Sequence, residues 1–518
     1  MMSSLKTPLS YLKQLKLKLA FEGILIGLIS GLVVVFYRLI LQYAEQLRQW
    51  VTNQPTPFAF FGWFIILILA ALFVGRLMVK EPMICGSGIP QVEGALANKI
   101  KMNPLSVLMN KFIGGTICIG AGLSVGREGP SIQLGAVAAQ WVSRLTKRTK
   151  LEEKYLFSSG ASAGLAAAFN APLAGVMFAL EEVHKHFSPL VLVGAMSAAL
   201  TADFVSKNFF GLKPVFRFDL IHNLPLHHYG WIVALGLLTG ILGVLYNKTL
   251  ASTLNGYDKL TFLKKQYHPL IPFLLAGILL WILPDVLGGG HGLIEKLTAD
   301  LFSMKTLLLL LTVKFAFSMV SFASGVPGGI FFPLLVLGAL TGSIFGHLLA
   351  SLHLVDEIFI QNFIILAMAG YFSAIVRAPI TGSILIAEMT GSLTNLLPLS
   401  LTCLIAYTVA EGLRNEPVYD FLLHRLLRGK SSLTVGQKNI LVEIPVFADS
   451  SMDGCLVRSL DLPTDCLLIA IKRGNDELIP RGNTQLMAGD DLIILMKENL
   501  AATLQEHLKS TSQKVPMY

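Results

Sequence analysis

GLSVGREGPSIQLG (residues 122–135) and GVPGGIFFPLLVLG (residues 325–338) carry glycine and proline at one shared spacing, 203 residues apart: Gly122, Gly126, Pro130 and Gly135 against Gly325, Gly329, Pro333 and Gly338. A second block repeats beside it, with Ala171, Pro172, Gly175 and Glu181 returning as Ala378, Pro379, Gly382 and Glu388, 207 residues later. Two matched blocks at nearly one offset describe two homologous halves, about 20–210 and 225–425. The apolar runs around these blocks are cut by Gly114, Gly126, Pro130, Pro172, Pro327, Pro333 and Pro379. A simple membrane-crossing helix needs about 20 apolar residues, so the pieces read as broken and re-entrant helices. Irregular backbone within a bilayer is tolerated only against protein or a water-filled cavity. Interrupted segments at matching positions of two halves point to a substrate site near mid-membrane, at the repeat interface.

Composition agrees with a bilayer setting. The 518 residues are 53% apolar and 14% charged, with a mean hydropathy of +0.65, too apolar and too continuous for a single soluble core. Apolar segments recur from about Leu19 to Ala410, unlike a secretory leader followed by a polar mature domain, so no cleaved leader is expected. The first 21 residues carry Lys6, Lys13, Lys16 and Lys18 and no acid, which places the N-terminal segment 1–18 in the cytoplasm by the positive-inside rule. The net charge of +9 reads as membrane topology. No dense basic run with interleaved aromatics accompanies it, so nucleic acid is not an expected partner. Cys85, Cys118, Cys403, Cys455 and Cys466 form no CxxC pair, and neither a disulfide framework nor a metal site is expected. No HExxH, GxSxG or Walker A pattern is present, so the chain is not read as an enzyme and needs no cofactor.

The composition changes after Leu427. Residues 428–437 form a polar linker, and residues 438–515 alternate short β-rich runs with turns. NILVEIPVF, CLLIAIK and DLIILMK read as strands, Gly474-Asn475-Asp476 as a hairpin turn, and Glu498 to Leu508 as a closing helix. IPRGNTQLMAGDDLIIL (residues 479–495) resembles the TrkA-C type of ligand-sensing domain that accompanies potassium-uptake and other transport proteins. That resemblance implies a cytoplasmic regulatory domain with a small-molecule ligand. A potassium filter would show a TVGYG-like run, and none is present.

An anion crossing a membrane needs partial positive charge without a buried cation that would trap it. Unpaired N–H groups at helix N-termini supply it. Gly-rich turns open apolar helices at GSGIP (residues 86–90), GREGP (126–130) and GVPGGIFFP (325–333). Ser87 adds a hydroxyl donor within the first. Glu128 is the sharpest residue, because an ionisable carboxyl in an apolar membrane segment is costly and marks function. Its repeat partner is Phe331, so symmetry does not require an acid there. A carboxylate at a helix start can occupy the place of the transported anion, and once protonated it loses that attraction and swings away. One side chain then holds a proton and an anion in alternation. Glu181 and Glu182 end the run APLAGVMFAL beside His184, Lys185 and His186; they suit a proton carrier toward Glu128 or a solvated helix end. Glu93 and Lys111 are expected to form a buried charge pair.

GSGIPQVEG, GREGPSIQLG, GLAAAFNAPLAGVMFALEE, GVPGGIFFP and EPVYDFLL resemble, in order, the signature segments of the CLC family of chloride channels and proton-coupled chloride transporters. The resemblance covers residues 20–425 and implies an all-α polytopic fold of two inverted-topology repeats in a membrane domain spanning residues 19–427, followed by a small α+β domain. It implies that Ser87 and Tyr419 donate hydroxyls to a central chloride together with the backbone N–H groups of Ile330 and Phe331. By the same likeness Glu128 is the gating glutamate, the backbone of Arg127 and Gly129 lines the outer site, and Glu182 is the internal proton-transfer glutamate. It further implies a homodimer with one pathway per subunit, in a bacterial plasma (inner) membrane. Acids at both Glu128 and Glu182 favour proton–chloride exchange over a passive voltage- or pH-gated channel of the same fold.

Overall fold

The computed structural model describes residues 8–53, 57–185, 187–216, 218, 224–299, 302–428, 439–446, 450, 452–460, 462, 466–473 and 476–497. The chain divides into two compact units, Met1–His424 and Arg425–Tyr518.

The first half contributes α1 (Pro8–Thr52), α2 (Pro57–Lys80), α3 (Ile89–Leu96), α4 (Pro104–Gly120), α5 (Glu128–Leu145), α6 (Lys150–Phe169), α7 (Pro172–Phe178) and α8 (Pro189–Phe210). The second contributes α9 (Tyr229–Lys259), α10 (Leu270–Ile282), α11 (His291–Thr298), α12 (Met304–Ala323), α13 (Phe331–Ser351), α14 (Ile360–Val376), α15 (Pro379–Thr390) and α16 (Leu396–Gly412), and α17 (Val418–Arg428) follows. The halves match helix for helix. α1 packs on α6 and α8 as α9 packs on α14 and α16, and α5 lies on α6 as α13 lies on α14. The halves meet where α7 packs on α15 and α2 on α10.

Among the described residues, seven helices are long and apolar enough to cross a membrane, by length and composition. They belong to α1, α2, α8, α9, α12, α13 and α14. Others are far too short: α3 and α11 have 8 residues each and α7 has 7, about 10–12 Å at 1.5 Å per residue. The breaks have a repeated local cause. α6 ends on Asn170 in left-handed backbone (φ 52°) and α14 on Arg377 (φ 74°). In each case the next helix begins two residues later with a proline at its start. A left-handed residue ends a helix and a proline starts one without losing a hydrogen bond. Glycines let the backbones touch where the paired helices cross. A Cβ on Gly135 would stand 2.2 Å from the Gly160 carbonyl oxygen, and one on Gly342 would stand 2.3 Å from that of Phe363. Such small-residue contacts replace the hydrophobic drive that helices lose in lipid.

The second unit is an antiparallel sheet of β1 (Asn439–Pro445), β2 (Cys466–Arg473), β3 (Asp476–Leu478) and β4 (Asp490–Lys497), in the order β1-β4-β2-β3. Ile444, Leu468, Ile471, Leu492, Ile494 and Met496 form its core. Arg473 closes one end by donating to both carboxyl oxygens of Asp490, each at 2.7 Å. The three strands expected from the sequence are β1, β2 and β4. β2 and β3 pair with Arg473 opposite Asp476, as a hairpin requires. Residues 474 and 475 of the expected turn, the linker from 429, and the expected helix from Glu498 to Leu508 lie outside the described residues.

Candidate ion pathway

Three glycine-rich turns are stitched to one another by backbone hydrogen bonds. The Gly86 N–H donates to the carbonyls of Gly325 (3.1 Å) and Val326 (3.2 Å), and the Gly328 N–H donates back to Gly86 (3.1 Å). Gly126 and Gly329 exchange both bonds, at 2.6 and 2.8 Å. These contacts bring the starts of α3, α5 and α13 together. The approach excludes side chains: a Cβ on Gly129 would stand 2.4 Å from Ser87 Oγ, and one on Gly88, where φ is 96°, would stand 2.5 Å from Gln133 Oε1. The residues before the three helices are Gly88, Arg127 and Ile330, and none of the three helices receives a capping bond from that residue's side chain. Their first amides are oriented as helix N-termini are, with partial positive charge outward.

At this junction Ser87 Oγ is buried without a hydrogen-bond partner, and the buried Glu128 carboxyl meets the amides of Glu128 and Phe332. Tyr419 Oη, on α17, is likewise buried and unpartnered. Ile330 and Phe331 are buried at the start of α13. The Phe331 ring packs against Phe372, Phe169 and Phe178 at centroid distances of 4.8, 5.2 and 6.2 Å, forming an aromatic wall.

Glu128 opens α5. Its Oε2 and the Phe332 amide nitrogen both face the bare Cα of Gly126, 2.4 and 3.0 Å from where a Cβ would stand. Arg127 Nε lies 3.7 Å from Glu128 Oε1, an ion-pair distance without a hydrogen bond. A cavity of about 70 Å³ reaches Glu128 past Arg48, Arg127, Gly290, His291 and Phe332. Glu182 lies elsewhere, in a short stretch of wider helix (Ala179–Val183) that continues α7, 3% exposed and with Oε1 unpartnered. Next to it, a second cavity of about 300 Å³ is lined by Glu93, Val183, Lys185 and Asp420 among others. Tyr419 stands within electrostatic reach of both Glu182 and Glu128.

Two expectations need correction. Glu93 and Lys111 do not pair: Lys111 Nζ donates to the carbonyls of Ile84 (2.8 Å) and Gly86 (2.7 Å), while both Glu93 oxygens are buried without a hydrogen bond. The ammonium is consumed in holding the turn before α3, and Glu93 has Glu182 and Lys185 as electrostatic neighbours instead. Nor is Glu181 a solvated helix end. It accepts from the amides of Ile380 (3.2 Å) and Thr381 (2.7 Å) and from Thr381 Oγ1 (2.7 Å), capping α15. Glu388 accepts from the amides of Leu173 (3.1 Å) and Ala174 (2.8 Å), capping α7.

Sequence reasoning missed a third repeated block. Lys314 Nζ donates to the carbonyls of Val286 (2.8 Å) and Gly288 (2.7 Å), as Lys111 does to Ile84 and Gly86. The turn Gly288-Gly289-Gly290 before α11 is therefore the counterpart of Gly86-Ser87-Gly88 before α3. Offsets of 202 for the glycines and 203 for the lysines were the available signal.

Comparison with known proteins agrees with this architecture. Residues 68–411 match the family described as voltage gated chloride channel, and residues 441–509 match the TrkA-C domain. The chain is 34% identical over 418 residues to the H(+)/Cl(−) exchange transporter ClcA of Vibrio parahaemolyticus, covering 78% of this chain and 89% of that one. It is 33% identical over 432 residues to the transporter of the same name from Salmonella schwarzengrund, covering 82% and 90%. Among solved structures, a slow cyanobacterial Cl−/H+ antiporter aligns with a TM-score of 0.76 at 30% identity, over 79% of this chain and 98% of that one. A CLC-type fluoride/proton antiporter shares the fold at a TM-score of 0.67 and 23% identity, over 80% and 98%.

Proposed function

We propose, because this chain belongs to the voltage-gated chloride channel (CLC) family, that it exchanges chloride for protons across the membrane it spans. The observation that carries this reading is the pair of buried carboxyls, Glu128 lining one cavity and Glu182 next to Val183 at the edge of another, with the Tyr419 hydroxyl within electrostatic reach of both. A passive anion pore has no use for the second buried acid. The relatives named as exchangers support the same choice.

Chloride leaves water at a cost, and the junction of helix starts repays it. Ser87 Oγ, Tyr419 Oη and the amides of Ile330 and Phe331 donate to the ion at the centre of the pathway. The amides of Arg127 to Gly129 form an outer position, which the Glu128 carboxylate fills when no anion is there. A proton on Glu128 removes its attraction to those amides, the side chain withdraws, and chloride enters. The proton reaches Glu128 by way of Glu182, which loads from the cavity beside Lys185. The aromatic wall around Phe331 limits water and so keeps protons and anions on defined routes.

The family resemblance supports a homodimer with one pathway per subunit. The basic N-terminal segment supports cytoplasmic termini in a bacterial plasma (inner) membrane. The domain matching TrkA-C serves regulation through a small ligand. The test of exchange is uphill proton movement in liposomes: an imposed chloride gradient drives protons against their own gradient in an exchanger. Chloride flux with a silent pH electrode would mean a channel.

A further inference from the structure

Lys185 follows Glu182 by three residues and adopts left-handed backbone, φ 54°. Lys185 Nζ donates to Asp420 Oδ1 in an ion pair. Asp420 immediately follows Tyr419 on α17. A single ion pair thus joins the segment that carries Glu182 to the helix that carries Tyr419.

Both partners line the cavity of about 300 Å³, and so does Glu93. Glu93 is 5% exposed with neither carboxyl oxygen hydrogen-bonded, and Glu182 is 3% exposed with Oε1 unpartnered. A buried acid with an unpartnered carboxyl oxygen depends on whatever cation stands near. Lys185 is an electrostatic neighbour of both, while Asp420 and Glu181 are the acids that act on Glu182. Lys99, Lys154 and His184 also face the cavity.

We propose that Lys185 is a positioning residue for proton loading: at the cavity it shares with Glu93, three residues after Glu182, its ammonium sets the range of inner pH in which Glu182 exchanges protons with the cavity, and the Asp420 carboxylate offsets that charge. This rests on the exchange reading above and assigns a control that exchange alone does not require. The physics separates it from a plain structural clasp. A clasp fails in the same way whichever partner is removed. An electrostatic control responds with opposite signs, because Lys185 favours the ionised carboxyls and Asp420 opposes that effect.

The experiment uses the full chain reconstituted in vesicles. Proton flux per chloride moved is read while pH is varied on the side of the Lys185 cavity and held constant on the other. Lys185→Met should move the half-point of proton uptake up by about one pH unit, since the carboxyl then keeps its proton to higher pH. Asp420→Asn should move it down. Lys185→Arg, which keeps the cation, should stay at the wild-type half-point. Half-points unchanged in Lys185→Met and Asp420→Asn, or shifted in the same direction, would overturn the proposal, as would a Lys185→Arg shift as large as that of Lys185→Met. If Lys185→Met does not fold, the sign of the Asp420→Asn shift decides alone. Failure of the exchange reading looks different: the wild type itself would then move chloride and no protons at any inner pH.

Discussion

Glu181 and Glu388 cap each other's helices: each ends a segment in its own half and accepts the first free amides of the equivalent helix in the other half. The pair are repeat partners in sequence, so the internal symmetry is written into hydrogen bonds at the α7–α15 contact as well as into helix order. A carboxylate at a helix start satisfies orphan N–H groups and meets the positive end of the helix dipole. The cap also anchors Glu182, which follows Glu181 directly.

Replacing either acid with alanine should therefore destabilise the folded exchanger by about 1–2 kcal/mol, the usual cost of a lost cap. Glu181→Ala should cost at least as much as Glu388→Ala, because Glu181 also accepts from Thr381 Oγ1. Unfolding midpoints in detergent check this. Wild-type stability in either variant would contradict its capping role.

The anion site should be intolerant of a single methyl group. A Cβ on Gly129 would stand 2.4 Å from Ser87 Oγ and 2.7 Å from the Ser87 carbonyl oxygen, so Gly129→Ala must displace the turn that holds the hydroxyl. Chloride affinity by calorimetry should fall at least tenfold, about 1.4 kcal/mol. Gly230→Ala is the control, since a Cβ there meets nothing within 4 Å. Equal affinities in both variants would remove Ser87 from the site.

The two buried acids should fail differently from the anion site. Glu128→Gln and Glu182→Gln should each abolish chloride-driven proton pumping while chloride still passes. The measurement is simultaneous recording with chloride and pH electrodes in liposomes. Unimpaired proton coupling in either variant would defeat its assigned role.

In the second unit, the Arg473 guanidinium, hydrogen-bonded to Asp490, holds that carboxyl below its usual range. A carboxylate whose affinity for protons is lowered by folding contributes stability that is present above its unfolded value, about 3.9. That contribution is lost as pH falls through the lower folded value. Protection of β2 and β4 in hydrogen exchange on the full chain, corrected for the intrinsic rate, should be flat from neutral pH to about 5 and drop below about 4. Asp490→Asn should have lower protection at neutral pH and a shallower acid limb.

Much of this was legible in the sequence because glycine and proline mark backbone geometry that no other residue supplies. The spacing of Gly126, Pro130, Gly329 and Pro333 located the halves and the helix starts that the structure joins through the Gly126–Gly329 bond pair. Side-chain partners were less legible. Lys111 and Glu93 are both buried charges, and sequence alone pairs them; the lysine is instead taken by two carbonyls of a turn more than 20 residues upstream. Glu181 beside a run of polar residues looks solvated, and only the fold brings α15 to it. Lys185 and Asp420 are 235 residues apart and belong to no repeated block, so no periodicity could have joined them.

The Glu128 carboxylate and a chloride ion are proposed to compete for one place at the start of α5. Anomalous scattering from bromide-soaked crystals tests it most directly, with wild type and Glu128→Gln compared. Competition requires a bromide peak between Ser87, Tyr419 and the Ile330–Phe331 amides in both proteins, and an additional peak at the Arg127–Gly129 amides only where the carboxylate has been replaced. An outer peak of equal strength in both, or no peak at these amides in either, would contradict it.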